Sequence, residues 1–542
     1  MTSKLLLVGR ALLLALSAWL VVSFAWVVVQ RFRFPVEVEW MGGSILDHVE
    51  RVRRGESPYV APSARFIPFL YPPLYYWVSA AVSRVTSVFV ACRVVSLVAT
   101  LANAGFVYAL ARRFGASRFW SAVGVGLFFG AYSLTGFWYD IERCDSLATT
   151  LWLAGAYAWA RFEKRGGAAI AGAIFAFAFL AKQQSISLVF WPALALAVTR
   201  QWRTLARFAA GAAIGAVPPI ALAVKNPWFY RYCVEYPSHH GVDPDLITGL
   251  LSDDFGKGFL LFGVTVIVLA VWAARVWRER RDGSESLAAG AILFGAFVSA
   301  AASRLHVGGW SNVLIGWVAF ACVAVAVALD RACVTLDRPA AHACAMVLAA
   351  TQLMHFVYDP KTAAPDAQRV TDANIFRDEV RTWEKRGDVI VPGRGHVTAN
   401  EHFPAMALMD VLRGGGPLPP DFVDALEHQK FAAYVVDEFG ELTLEAIIGH
   451  RSELFALVER NYFVGRRLDD RERPPVIGWI AHPSWVMFPR KHPLGEVGDA
   501  ALDKRLKIEM GLAEARMRQV QAGVTPEGDE LNIEDQAAAL DR

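Results

Sequence analysis

The sequence predicts a mainly α, polytopic membrane protein. It would hold about eleven transmembrane helices, juxtamembrane helices in the first outside loop, and a small C-terminal α/β domain outside the membrane. Three observations predict this. Of 542 residues, 55% are hydrophobic and only 19% charged, with mean hydropathy +0.33, too little polar surface for a soluble chain. Apolar stretches of roughly membrane-spanning length recur up to residue 356. From about residue 357 charged and turn-forming residues become common.

The first apolar stretch runs from Ala11 to Val29, behind Lys4 and Arg10. It has no clear small-x-small cleavage site and reads as a retained signal anchor. Further spans are expected near 88–110, 119–138, 146–160, 168–181, 185–199, 208–224, 259–274, 286–302, 311–329 and 340–356. Basic residues mark alternate loops: Arg112, Arg113 and Arg118; Arg161, Lys164 and Arg165; Arg200, Arg203 and Arg207; Arg275, Arg278, Arg280 and Arg281; Arg331 and Arg338. The intervening loops carry Asp140, Glu142 and Asp145, or Asp243, Asp245, Asp253 and Asp254. By the positive-inside rule the N-terminus is cytoplasmic and eleven crossings leave the C-terminus outside.

The first outside loop is then 31–87. Within it, SILDHVERVRRG reads as an amphipathic helix lying on the bilayer surface, capped by Ser44 with Asp47 reaching back and ended by Gly55. Ile45, Val49 and Val52 share its apolar face. YPPLYYWVSAAVSRV (71–85) is too short to cross and would invert the charge bias if it did. It is expected as an outside helix at the interface. The expected domains are a membrane part, 1–356; an α/β part, 357–492; and a charged helical or disordered tail, 493–542. In the second, DVIVPG and AAYVVDE read as strands, AMALMDVLRG and TLEAIIGHRSELFALVERN as helices, and PPVIGWIAHPSWVMFPR as one or two strands.

The net charge of +3 is uninformative about a nucleic-acid partner, and no basic run that would track a phosphate backbone is present. Six cysteines without a C-x-x-C pair show no zinc or redox motif and read mostly as packing residues. In the membrane part, polar residues gather on the outside face: Glu37 and Glu39; Asp140, Glu142, Arg143 and Asp145; Lys182 with Gln183 and Gln184; His239 and His240; Arg304 and His306. Ionisable groups at membrane helix ends are costly unless they meet water, protein or ligand. Each has a bland reading: solvated loop acids, an Arg143 pair with Asp140 or Glu142, a snorkelling Lys182, interface residues at Arg304 and His306. His239 and His240 lie in a turn-rich loop that can bend one or both to a metal. Together the groups offer carboxylates for proton abstraction and cations for a phosphate. Trp479, Trp485 and Phe488 can stack on sugars, though core packing suits them better.

Glu37 and Glu39 after the first span, the surface helix, RRGESPY and FLYPPLYYW resemble the GT-C superfamily of membrane glycosyltransferases, which includes protein O-mannosyltransferases and the aminoarabinose transferases of lipid A. YDIERCDSLATTLWLAG, FLAKQQS and SRLHVGGWSN look like further outside helix ends of that superfamily. The similarity covers roughly 1–320 in short motifs. It implies a GT-C fold in a bacterial inner membrane and a sugar donor on a polyprenyl phosphate. The acceptor would be a glycan, lipid or protein. The carboxylate at the reacting centre matches Glu39, with Glu37 as the alternative, and Asp145 matches the second-loop acid. Lys182, Arg304, His306, Arg143, Tyr71 and Tyr75 are the donor-phosphate and substrate candidates. Some relatives hold a divalent metal through a histidine of the loop matching 225–258, which makes His239 and His240 the metal candidates. The implied reaction is a single displacement. Glu39 takes the acceptor proton, the anomeric carbon passes through an oxocarbenium-like state, and cations stabilise the leaving phosphate. The competing class is a multi-pass transporter or lipid-linked-sugar flippase. Its broken helices and repeated halves are not seen in this sequence.

Overall fold

The computed structural model describes residues 2–32, 34–39, 41–244, 246–279, 285–306, 308–392, 394–401, 405–437, 453–468 and 483–490. Arg280, Arg281, Asp245, Trp479 and the expected tail lie outside the described residues. In chain order the helices are α1 Thr2–Phe32, α2 Gly42–Arg53, α3 Leu74–Val82, α4 Val88–Arg113, α5 Arg118–Gly130, α6 Asp145–Arg161, α7 Gly167–Phe177, α8 Ile186–Val198 and α9 Trp202–Lys225. Then come the short α10 Pro227–Tyr230 and α11 Leu246–Gly249, followed by α12 Phe259–Glu279, α13 Glu285–Arg304, α14 Ile315–Leu336 and α15 Pro339–His355. The last part holds α16 Ala367–Glu384, β1 Val389–Ile390, α17 Ala405–Arg413, α18 Pro420–Glu427, β2 Ala433–Asp437, α19 Glu453–Asn461, β3 Tyr462–Arg467 and β4 Pro483–Pro489.

Each of the eleven apolar stretches contains a helix. Among the described residues, six are long and apolar enough to cross a membrane: Lys4–Phe32, Val88–Arg113, Trp202–Lys225, Phe259–Val276, Leu287–Arg304 and Ser311–Leu336. A bent pair beginning with Pro339–His355 makes a seventh if counted as one span. The rest are shorter than the ~20 residues a straight crossing needs. Helix α5, for example, stops at Gly130 rather than near 138, where turns and a left-handed Phe137 (φ 65°) take over.

The chain divides into two compact units. The first comprises Met1–Phe32, Tyr71–Pro227 and Gly241–Ala364 and is helical. α14 runs through its centre, with Trp317, Val318, Ala319, Ala321 and Cys322 buried. α7 and α9 approach so closely that a Cβ on Gly211 or Gly215 would strike the carbonyl of Ala169 or Ala173. The GAAIG spacing places both glycines on that face, as small residues do between membrane helices. Cys344 is exposed and the other five cysteines are buried thiols.

The second unit comprises Arg33–Leu70, Trp228–His240 and Pro365–Arg542. Its sheet has the order β1-β2-β4-β3, with β1 parallel to β2 (Val389 opposite Ala433) and β4 antiparallel to both β2 and β3. Phe376, Val380 and Trp383 of α16 pack on Val389, Ala433, Val435 and Val486. Trp485 is buried in this sheet, beneath the Arg467 guanidinium.

Two expectations for the first outside loop are corrected. α2 starts at Gly42, two residues before Ser44, and Met41 is its N-cap, with no side-chain cap bond. Ser44 is therefore inside the helix. Nor does α2 expose a polar face along its whole length: Gly42 to Val49 are all buried, Asp47 and His48 included. Gly55 ends it as expected, at φ 80°. α3 has nine residues, too short to cross, with Tyr75 and Tyr76 buried and Trp77 exposed.

Candidate active-site groups

In the helical unit, the acidic loop before α6 is clamped by arginines from inside the helix bundle. Arg31, at the end of α1, donates to Asp140 Oδ1 (2.8 Å), Tyr132 Oη (2.6 Å) and the carbonyls of Phe137 and Ala363. Arg93, in the second turn of α4, donates to Glu142 Oε1 (2.5 Å) and the Arg31 carbonyl (2.6 Å). All four side chains are buried. The expected Arg143 pair with Asp140 or Glu142 is thus replaced by pairs with Arg31 and Arg93. One signal could have found Arg93: an arginine inside an apolar stretch demands a buried partner.

Asp145 opens α6 and sits between two cations. Lys182 Nζ donates to its Oδ1, Asn312 Nδ2 donates to the same atom at 2.9 Å, and Arg143 Nε lies 3.8 Å from Oδ2. Arg143 also donates to Tyr71 Oη (2.5 Å) and lies over the Tyr71 and Trp138 rings. Asp145, Lys182, Arg143 and Tyr71 therefore form one cluster. Tyr75 stands apart from it, donating to the Cys92 carbonyl (2.8 Å) and meeting Ser96 Oγ. Arg304 donates to Asp254 Oδ2 (2.7 Å) and the Gly309 carbonyl. His306 forms a backbone bridge to Val242. Gln184 bonds to Ser303.

In the second unit, Glu37 and Glu39 are both buried. Arg394 Nη1 donates to Glu37 Oε1 (3.1 Å). Burial still pushes the Glu37 carboxyl above the usual carboxylate range, against the pull of Arg394. The Glu39 carbonyl accepts the Gly42 N–H at 2.8 Å, closing the turn into α2. Segment 394–396 packs onto the start of α2 so tightly that a Cβ on Gly43 would strike the Gly395 carbonyl and come 3.2 Å from Glu37 Cδ. That contact explains a glycine at position 43. Asp47 accepts from the His396 backbone N–H (3.1 Å) and meets its Nδ1 (3.2 Å). Burial opposes charging of His396, but Asp47 and then Glu37 raise its pKa above the ordinary histidine value. His48 is fully buried. Its Nδ1 donates to the Ser44 carbonyl (2.6 Å) and its Nε2 accepts from the Phe69 N–H (2.9 Å). Burial lowers its pKa to about 4, so it stays neutral.

The metal candidates find protein partners. His239 Nδ1 meets the Glu235 carbonyl (2.9 Å), and His240 Nε2 meets Asp410 Oδ1 (2.8 Å). Among the described residues, no group of three His, Cys, Asp or Glu side chains is placed to hold a metal ion. Among the described residues, the donor set does not fit the divalent metal that the resemblance implies.

With this geometry in hand, comparison with solved structures assigns the fold. The chain resembles ArnT from Cupriavidus metallidurans bound to undecaprenyl phosphate, with TM-score 0.54 and 14% identity over 89% of this chain and 98% of that one. The apo state of ArnT gives TM-score 0.53 and 16% identity over 89% and 100%. The Archaeoglobus fulgidus oligosaccharyltransferase in complex with Zn and sulfate aligns more weakly, with TM-score 0.45 and 10% identity over 87% and 72%. At such identities the ArnT likeness is one of fold. A comparison with curated proteins found no match. Residues 69–303 of the chain match the model of Glycosyltransferase family 87.

Proposed function

We propose that the protein moves a sugar from a polyprenyl-phosphate donor to an acceptor hydroxyl outside the cytoplasm, by single displacement. The observation that carries this reading is the Asp145 cluster, where two buried cations, Lys182 and Arg143, surround one carboxylate. Buried cations gathered at one site suit an anionic ligand. The bound lipid in the ArnT structure is undecaprenyl phosphate, a ligand of that chemistry. Arg304 is held by Asp254, so Lys182 and Arg143, with the Tyr71 hydroxyl, are the better phosphate holders.

Glu39 serves as the base, with Glu37 as the alternative. The acceptor oxygen bonds to the anomeric carbon as the carbon–phosphate oxygen bond breaks. The hydroxyl proton passes to the carboxylate, and the phosphate departs with the bonding pair. Asp145 orients Lys182 and Arg143. Residues 357–492 contribute to acceptor choice. The N-terminus is cytoplasmic and the acceptor side is periplasmic or extracellular, in a plasma membrane. The test is a labelled polyprenyl-phosphate sugar supplied to purified protein. Glu39→Gln is expected to lower sugar release by at least ~100-fold with an unchanged melting temperature. Near-normal turnover of that variant would remove Glu39 from the role, and movement of intact donor without bond cleavage would overturn the reading.

A further inference from the structure

The helical unit has a second feature, at the opposite end of α6 from Asp145. It is a cavity of about 320 Å³ between α4, α6, α12, α13 and α14. Its α6 residues, including Trp159, lie in the last two turns, roughly 20 Å along the helix from Asp145. Val271, Phe320 and Ala324 give it an apolar wall. The charged residues lining it are Arg275 and Arg331, and no acid lines it among the described residues. Both arginines are exposed, toward the C-terminal ends of α12 and α14, next to the loops that the charge pattern places inside. Arg331 also donates to the Phe114 carbonyl at 3.3 Å.

An apolar-walled pocket of this size suits hydrocarbon; apolar cavities of about 150 Å³ already bind benzene. Two cations at its rim, with no acid among the described lining residues, suit an anion, and basic pockets between membrane helices bind anionic headgroups. We infer that this cavity is a binding site for an anionic phospholipid of the leaflet facing the Arg-rich loops, one acyl chain lying against Trp159, Val271 and Phe320 and the phosphate meeting Arg275 and Arg331. The choice of a structural phospholipid over the prenyl donor rests on the proposed function, which gives the donor phosphate its cations at the Asp145 end.

The experiment reads lipid retention, which needs no turnover and so stands apart from the donor assignment. Full-length protein in mild detergent is incubated with vesicles of phosphatidylglycerol, phosphatidylcholine or undecaprenyl phosphate. Retained lipid is counted by native mass spectrometry. Phosphatidylglycerol is expected to be held at least tenfold better than phosphatidylcholine. The Arg275→Gln/Arg331→Gln pair should erase that preference. Ala324→Phe, which fills the cavity, should lower retention of both lipids with an unchanged melting temperature. Equal retention of the two phospholipids, or a preference that survives loss of both arginines, would overturn the proposal. So would undecaprenyl phosphate displacing phosphatidylglycerol in wild type but not in Ala324→Phe.

Discussion

Two acidic segments of similar composition are treated in opposite ways. In residues 138–145 each carboxylate is matched to a buried cation: Asp140 to Arg31, Glu142 to Arg93, Asp145 to Lys182. In residues 34–39, Glu37 has Arg394 beside it, yet burial holds its carboxyl above the usual range. Both segments are buried, so burial alone does not mark a functional acid. The difference lies in how fully the charge is neutralised. Pairs such as Arg93–Glu142 spend their charge on holding helices together. A carboxyl raised by burial is a candidate for proton transfer.

Breaking a matched pair is the strongest test. Arg93→Ala leaves Glu142 buried without that cation and strips the bond to the Arg31 carbonyl. It should cost about 3–5 kcal/mol, read as a large fall in melting temperature and poor accumulation. A stable, inactive Arg93→Ala would instead put Arg93 in the chemistry and blur the contrast. Next comes pH. His48 is held neutral with a pKa of about 4, below its unfolded value of about 6.5. The unfolded chain binds the extra proton, so His48 supports the fold fully above pH 6.5, and that support is lost as pH falls toward 4. The loss is roughly 3 kcal/mol. His48→Gln should flatten the dependence of melting temperature on pH in that window. The smallest effect is expected at Gly43, where Ala must push the Gly395 carbonyl away at about 1–3 kcal/mol. Because Glu37 is 3.2 Å from the added carbon, the pH profile of transfer should shift in Gly43→Ala. An unshifted profile would show that Glu37 is a structural acid like Glu142.

Much of this was legible in the sequence, and the failures have physical causes. The eleven helical stretches follow from apolar runs, because a helix in lipid satisfies its own backbone. The strands at VI and AYVVD were equally plain. The sequence reading assigns no strand to YFVGRR, the β3 segment, which follows α19 with no turn between. The Ser44 cap was misread because Gly42 and Gly43 were taken for loop. Only the packing of segment 394–396 shows why small residues begin the helix there. Arg31 and Arg93 carry no motif: Arg31 falls at the start of the expected outside loop, and Arg93 inside a run read for hydropathy alone.

The sequence by itself determined the class: a helical membrane protein with acids and cations gathered at particular helix ends. Hydropathy, turn chemistry and charge bias are local, and a linear reading captures them. Tertiary structure alone decided which acid is neutralised. Glu37 and Arg394 are 357 residues apart and Arg93 and Glu142 are 49. Charge pairing and desolvation depend on distance and burial in space, which no local pattern encodes.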